Sequence, residues 1–199
     1  MSPLAARLPP RPDFAALDAS AQQSADRRTL ILANIGSLVF NWSNNESMLI
    51  YFIMLLMNTD EASAAVVFST LNTTRARLDL VQRLAKVKIS DKLVAKRLAG
   101  LIDDFNRCTK LRNEFNHSMY AVNALGEVTH TNSMRIRESR GGLQFGEVRD
   151  MDDARLDEMA EAIRDLTTLN RELWEFLPIL QESLSQPGTT LTRKTDGAA

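Results

Sequence analysis

The sequence predicts an all-α protein: a four-helix up-down bundle with a small β-hairpin insert between the third and fourth helices. Apolar residues recur at three- and four-residue intervals over most of the chain, which is the period of an amphipathic helix. Only residues 121–150 alternate with the two-residue period of strands. The eight glycines and six prolines fall mostly outside the helical stretches, which leaves room for long helices.

The first predicted helix opens near Ser20, where Gln23 has capping-box spacing, and runs to about Met57. Asn45 and Glu46 fall in register with its apolar stripe. A carboxylate on a buried stripe costs free energy unless it is paired, so we expect Glu46 to have a partner inside the fold or to lie at an opening. The stripe consists of Ile31, Ile35, Leu38, Trp42, Leu49, Ile53 and Leu56.

The second predicted helix covers about 60–86, with a break near 72–74, and starts at a capping sequence with acidic residues in its first turn. The third is capped by Ser90 and Asp91. Its stripe alternates four- and three-residue steps and contains one charged residue, Arg112. The stripe consists of Val94, Leu98, Leu101, Phe105, Cys108, Arg112, Phe115 and Met119.

Three short alternating segments follow in residues 121–150, separated by turn glycines, and predict two or three antiparallel strands. The last helix begins near Met151, with a kink or break expected at Pro178. Proline-rich residues 1–19 predict a flexible N-terminal arm, residues 20–186 a single domain and residues 187–199 a disordered polar tail.

Composition excludes several classes of function. The net charge of −1 gives no global electrostatic reason to bind nucleic acid, so RNA binding needs a local patch. Cys108 is the single cysteine, which excludes an intrachain disulfide and a cysteine zinc site. The most apolar run, Met48 to Met57, is too short to span a bilayer. We therefore expect a cytoplasmic protein with no membrane association, no metal site and no cofactor.

The stretch from Leu111 to Tyr120 concentrates the chemically useful side chains near the end of the third helix. At roughly 100° per residue, Arg112 points along the buried stripe and Asn116 lies about 40° from it. His117 lies about 140° from Arg112, on an outward face. The helix thus predicts an inward arginine and an outward histidine, with Asn113 and His117 one turn apart.

Arg112, Asn113 and His117 in this position resemble the signature of the HEPN superfamily (higher eukaryotes and prokaryotes nucleotide-binding): an arginine, a polar residue and a histidine four to six residues after that polar residue. The resemblance covers residues 25–185. It implies a metal-independent endoribonuclease, a homodimer in which two copies of the motif form one composite site. Under it, Arg112, His117 and Asn113 are catalytic, Glu46 and Asn116 support them, and Arg135, Arg137 and Arg140 of the insert are possible RNA-binding residues.

These residue types suit RNA cleavage by the substrate's own 2′-hydroxyl. Histidine is the side chain suited to accept a proton near neutral pH, and a guanidinium offers directional donors to a pentavalent phosphate. Asn113 is expected to orient His117, and Glu46 to pair with Arg112 and hold it in place. The other interpretation makes the pair of Arg112 and Glu46 a buried ion pair that fixes helix register, and His117 a helix C-terminal histidine.

A second resemblance predicts a different function. Residues 77–80 together with 111–117 are similar to the mannitol-operon repressor family of all-helical bacterial regulators. That family implies a non-catalytic regulator or protein-interaction module, in which the Arg112 motif is structural. The hairpin insert departs from that family. A third interpretation is an antitoxin or scaffold role for a degenerate HEPN bundle, and an antitoxin or regulatory protein is a possible partner in either case.

Overall fold

A computed structural model of the chain describes residues 27–123, 127–133, 136–139 and 142–185. The predicted arm (1–19), the predicted capping box at Ser20 and the predicted tail (187–199) lie outside these residues. The described part of the chain is mainly helical, as predicted, with a small antiparallel sheet. Its helices are α1 (Arg27–Met57), α2 (Glu61–Thr70), α3 (Thr74–Lys88), α4 (Lys92–Asn116) and α5 (Asp153–Ser185).

Side-chain caps explain where the middle helices begin. Asp60 accepts a hydrogen bond from the Ser63 backbone N–H at 2.9 Å and caps α2. Thr73 caps α3 in the same way. The break predicted near 72–74 is therefore confirmed, and the second predicted helix is two helices. Asp91 accepts hydrogen bonds from two backbone N–H groups of the first turn of α4, as predicted for the third helix.

The C-terminus of α4 corrects the sequence prediction. The predicted stripe extends the helix to Met119, but α4 ends at Asn116, and Met119 lies on a strand with 59% of its surface exposed. Ser118 Oγ donates to the Glu114 carbonyl at 2.6 Å, and Tyr120 OH donates to the Phe115 carbonyl at 2.9 Å. These hydroxyls satisfy carbonyls of the last turn, so the chain leaves the helix without losing those hydrogen bonds.

The predicted insert is present and begins earlier than expected, at residue 118. Its strands are β1 (Ser118–Val122), β2 (Val128–Ser133), β3 (Ile136–Ser139), β4 (Gly142–Phe145) and β5 (Val148–Asp150). One antiparallel sheet has the order β1-β2-β5, and β3 and β4 form a separate antiparallel pair. Gly146 separates β4 from β5 at φ +80°, and a Cβ there would lie 3.0 Å from the Ser133 carbonyl oxygen.

The described chain divides into two compact units. One contains residues 49–100 and 175–185, where Phe52 and Phe176 stack with ring centres 6.1 Å apart. The other contains residues 27–48 and 101–174, and therefore the sheet and the whole of the Leu111–Tyr120 stretch. Helix α5 passes through Pro178 without ending.

The core of the second unit includes the polar residue that the sequence places on an apolar stripe. Asn45 is fully buried, and its Nδ2 donates to the Leu166 carbonyl at 2.9 Å. Its Oδ1 accepts a hydrogen bond from Asn170 Nδ2 at 2.7 Å. Both ends of the Asn45 amide are therefore satisfied, which explains how it is tolerated in the core.

Within the described residues, no single helix has the length and apolarity needed to cross a membrane; the sharply bent pair α1 and α2 meets that test only when taken together.

Candidate functional site

Arg112 is held against an aromatic ring. Its guanidinium carbon lies 4.0 Å from the centre of the Trp42 ring, which belongs to α1 and is buried. Trp42 is itself fixed by α4: its ring meets Phe105 edge-on at 6.4 Å, and its Nε1 lies 3.4 Å from Thr109 Oγ1. This cation–π contact orients the plane of the guanidinium.

Two asparagine side chains complete the setting of Arg112. Its Nη1 donates to Asn113 Oδ1 at 3.0 Å. With the amide oxygen of Asn116 turned toward the guanidinium, that oxygen accepts hydrogen bonds from Nε at 3.0 Å and from Nη2 at 3.2 Å. A guanidinium has five N–H donors, so these contacts leave one on Nη1 and one on Nη2. The Asn116 contact fits the support predicted for that residue.

The negative charge of Glu46 also acts on Arg112. Burial lowers the pKa of Arg112, and the charge of the Glu46 carboxylate raises it. Glu46 is half-buried on α1, one turn beyond Trp42. The Glu46 carboxylate is therefore near enough for its charge to act on Arg112, and the ion pair expected between the two residues stays a prediction.

His117 follows the last residue of α4. Its backbone N–H donates to the Asn113 carbonyl at 3.1 Å, which closes the final helical turn. Its side chain is exposed and makes no hydrogen bond within the described part of the chain. In the described residues the oxygen of Asn113 accepts from Arg112, so the contact seen for Asn113 is with the arginine, and its expected orienting of His117 stays a prediction.

Four charged side chains next to the motif form a closed ring of ion pairs, which the sequence analysis did not predict. Its members are Glu114, Arg149, Arg155 and Glu158. Glu114 Oε1 accepts hydrogen bonds from Arg149 Nη1 at 2.6 Å and from Arg155 Nη2 at 2.8 Å. Both arginines also contact Glu158 Oε2, Arg149 at 3.1 Å through its Nη2 and Arg155 through its Nη1. The ring ties the last turn of α4 to β5 and to the start of α5.

Arg155 is the buried member of this ring. Its side chain is 2% exposed, and its guanidinium carbon lies 4.0 Å from the centre of the Phe115 ring. Its Nε has no hydrogen-bond partner in the described residues. Burial raises the pKa of Glu114, but the hydrogen bonds and charges of Arg149 and Arg155 outweigh it, so that pKa lies below its ordinary value.

A polar cleft of about 220 Å³ opens beside the ring. Its charged walls are Glu114, Glu147, Arg149 and Arg155, and the rest of its lining consists of hydroxyl side chains. One of these, Ser118, is the residue directly after His117. The motif therefore adjoins a cleft lined by both hydrogen-bond donors and acceptors.

No protein-family model, characterised protein or solved structure matches the chain.

The other candidate residues contribute less to this site. The backbone of Arg137 lies in β3, whereas Arg135 and Arg140 lie outside the described residues, so the proposed RNA-binding patch of the insert stays a prediction. Burial raises the pKa of the Cys108 thiol to about 11, which makes it a poor nucleophile at neutral pH. In the described ranges no cluster of three or more His, Cys, Asp or Glu side chains could hold a metal ion.

Proposed function

We propose that this chain is a HEPN-like, metal-independent endoribonuclease that acts as a homodimer. The observation that carries the proposal is that one helix end presents both an arginine with a fixed orientation and a histidine with an exposed side chain. Arg112 is oriented by Trp42, Asn113 and Asn116, while His117, at the end of the same helix, has an exposed side chain. Preorganised donors of this kind stabilise charge that develops in a transition state.

The reaction we propose needs no metal. The imidazole of His117 accepts the proton of a ribose 2′-hydroxyl, and the 2′-oxygen attacks the adjacent phosphorus. The bond from phosphorus to the 5′-oxygen breaks, and that oxygen takes up the proton that the His117 imidazole has accepted, which returns the imidazole to its neutral form. The products are a 2′,3′-cyclic phosphate and a 5′-hydroxyl, so atoms and charge balance without an added reactant.

Arg112 stabilises the pentavalent phosphate in this scheme. Three of its donors are held by the two asparagine oxygens, which fix its orientation, and the remaining N–H groups on Nη1 and Nη2 are available to phosphate oxygens. The negative charge of Glu46 raises the pKa of Arg112 and so favours its charged form. In this proposal Asn113 and Asn116 position the arginine.

A composite site needs a second copy of the chain, and the helical phase of α1 favours one face for it. Leu32 and Val39 are 54% and 36% exposed, and Glu46 follows Val39 by the same seven-residue step. Seven residues are nearly two full turns, so these three side chains share one line along α1. We propose that the second copy docks on this apolar line, which leads to the carboxylate beside Arg112.

Cleavage of a mixed-sequence RNA in the presence of EDTA tests the proposal. The wild-type protein is expected to cleave, and His117→Ala to lose at least about a hundredfold in rate, as is typical when a general base is removed. His130→Ala is the matched control, since His130 is the second of the two histidines and lies on β2. Equal rates for His117→Ala and wild type contradict the proposal.

One observation favours the alternative function. The stacking and hydrogen bonds that orient Arg112 also suit a purely structural arginine, as in a non-catalytic regulator resembling the mannitol-operon repressor family. A folded, dimeric wild-type protein that leaves RNA intact supports that alternative.

Both proposals place the chain in the cytoplasm. Both also include the up-down four-helix arrangement, with α2 and α3 counted as one interrupted helix. An antitoxin or regulatory protein partner is compatible with either.

A further inference from the structure

The even charge balance of the chain conceals one strongly basic segment. Residues 75–97, which run from α3 into the first turns of α4, contain eight Lys and Arg and two Asp, a net charge of +6. The whole chain carries −1, so its other residues together carry −7. RNA binding by such a chain needs a local basic patch, and this segment supplies one.

We propose that this segment binds the sugar–phosphate backbone of RNA without reading its sequence. The inference rests on the proposed ribonuclease function and adds the surface that holds the substrate. We call the surface the α3–α4 basic patch. Its members are Arg75, Arg83, Lys86, Lys88, Lys92, Lys96 and Arg97.

The positive charges of the patch are exposed and mostly uncompensated. All seven side chains lie at exposed positions. Arg75 pairs with Asp79 one turn later, at 3.9 Å, whereas the other six make no ion pair with a carboxylate of the described chain. By contrast, Arg149 and Arg155 each contact two carboxylates. The patch therefore keeps cationic groups available to an anionic partner.

Helix stability accounts for only part of this charge. Lys86 and Lys88 lie in the last turn of α3, where the helix dipole favours cations. Lys92 is the first residue of α4, where the dipole opposes a positive charge. Lys92 and Lys96 are four residues apart and Arg83 and Lys86 three apart, and like charges at these spacings repel each other. A bound polyanion relieves this repulsion.

The spread of the cations suits a chain of phosphates better than one free phosphate. Arg75, Arg83 and Lys86 lie within about 80° of one another around α3, and eleven residues of helix extend about 16 Å. Lys92 and Lys96 add a further pair one turn apart on α4. A single phosphate reaches few of these groups, whereas a polynucleotide contacts many of them at once.

The apolar residues of the same segment favour RNA over a lipid surface. Adsorption of a helix to a membrane requires a free apolar face. Leu78 and Val81 of α3 and Leu98 of α4 are buried, and the large apolar side chains exposed in residues 75–97 are Val87 and Leu93, at 72% and 78%. The segment also contains no aromatic residue on which a base could stack, so its contacts are to the backbone and carry no sequence preference.

The salt dependence of RNA binding tests the inference with the full-length protein. The probe is a fluorescent 2′-O-methyl RNA of mixed sequence, which has no free 2′-hydroxyl and therefore stays intact. Two double variants, Lys86→Gln with Lys88→Gln and Lys92→Gln with Lys96→Gln, each remove two cations and keep good helix formers. Each is expected to weaken binding at least about tenfold in roughly 0.1 M salt, and to reduce the slope of log K against log salt by about 1.4.

The control variant removes the same amount of charge elsewhere. Arg107→Gln combined with Arg164→Gln replaces two exposed arginines, on α4 and α5, that lie outside the patch. This variant is expected to retain the wild-type slope. Fluorescence anisotropy measures binding, and circular dichroism verifies that all four proteins are folded.

The outcomes separate this inference from the proposed function. Reduced slopes in both lysine variants, with the control unchanged, support the patch; the same result without cleavage of ordinary RNA keeps the patch and removes the ribonuclease. Equal slopes in all four proteins overturn the inference and leave cleavage by His117 in place.

Two other partners are tested with the same variants. Binding to vesicles of phosphatidylcholine and phosphatidylserine that is lost in the lysine variants, while their RNA slopes are unchanged, assigns the patch to a lipid surface. Loss of the dimer in sedimentation velocity, again with unchanged RNA slopes, assigns it to a second copy of the chain. Either result overturns the inference.

Discussion

The guanidinium of Arg112 stacks on the ring of Trp42, with 4.0 Å between its central carbon and the ring centre. The contact joins the arginine of the predicted motif to a buried aromatic residue that α1 contributes to the same unit. Because the guanidinium plane is set by this ring and by two asparagine oxygens, Arg112 is oriented before any substrate arrives. Its role is therefore testable separately from its charge.

Replacing Arg112 by lysine keeps the positive charge and removes the planar fork. We expect Arg112→Lys to lower the free energy of unfolding by about 1–2 kcal/mol, because the stacking and the two amide contacts are lost. We also expect it to slow RNA cleavage at least about a hundredfold, because the phosphate loses directional donors. Chemical denaturation and a cleavage assay measure the two effects.

Arg107→Lys is the matched control on the same helix. The Arg107 side chain is 62% exposed and, among the described residues, pairs with Asp104 one turn earlier, so its replacement should change stability by less than about 0.5 kcal/mol. If Arg112→Lys and Arg107→Lys change the free energy of unfolding and the cleavage rate equally, the contacts of Arg112 with Trp42 and the two asparagines make no specific contribution.

The buried amide pair of Asn45 and Asn170 should show strong coupling. Asn45→Leu and Asn170→Leu each leave a buried amide without its partner and are expected to cost about 1–3 kcal/mol. The double variant replaces both with apolar groups, so its cost should be smaller than the sum of the two by about 1 kcal/mol or more. Urea unfolding of the four proteins gives the coupling energy; simple additivity contradicts a direct interaction.

The ring of ion pairs predicts a particular pH dependence. Because the pKa of Glu114 is lowered in the folded protein, its contribution to stability is complete above the ordinary carboxyl value of 4.5. It is lost as the pH falls through the lower, folded-state pKa. Glu114→Gln removes a charged acceptor shared by two arginines and is expected to cost about 1.5–3 kcal/mol at pH 7.

Denaturation curves collected from pH 7 to pH 3 check this assignment. The wild-type protein should lose more stability below pH 4.5 than Glu114→Gln, whose glutamine does not titrate. Glu138→Gln, exposed on β3, should follow the wild-type curve. Parallel curves for wild type and Glu114→Gln show that the ring does not contribute as proposed.

The apolar line on α1 predicts which substitutions weaken self-association. Leu32→Ser and Val39→Ser remove exposed apolar surface from the line that leads to Glu46 and are expected to raise the dimer dissociation constant at least about tenfold. Leu93→Ser removes a side chain that is 78% exposed on α4 and serves as the control. Sedimentation velocity over a concentration series measures the effect. Unchanged dimerisation in both α1 variants assigns the interface to another surface.

Local sequence patterns predicted the features that depend on interactions between residues close together in the chain. The period of apolar residues gave the helices, capping residues gave the starts of α2 and α4, and helical phase put Arg112 inward and His117 outward. The stripe position of Glu46 predicted a charge near Arg112, and the Glu46 carboxylate does raise the pKa of that arginine. These predictions rest on interactions within a few residues or on one helical face.

Contacts between distant segments could not be predicted in the same way. Glu114 meets Arg149 and Arg155 only because β5 returns beside β2 and leads into α5, which a single sequence does not reveal. The end of α4 depends on hydroxyls of Ser118 and Tyr120 that bond backward, whereas the apolar stripe alone extends the helix to Met119.

The most direct measurement of the central claim is the chemical identity of RNA ends produced in EDTA, determined by mass spectrometry. We predict 2′,3′-cyclic phosphate and 5′-hydroxyl ends, formed by wild type and by His130→Ala and absent with His117→Ala, which stays folded and dimeric. Intact RNA with the folded dimer, or the same ends with His117→Ala, contradicts the assignment of His117 as the catalytic base.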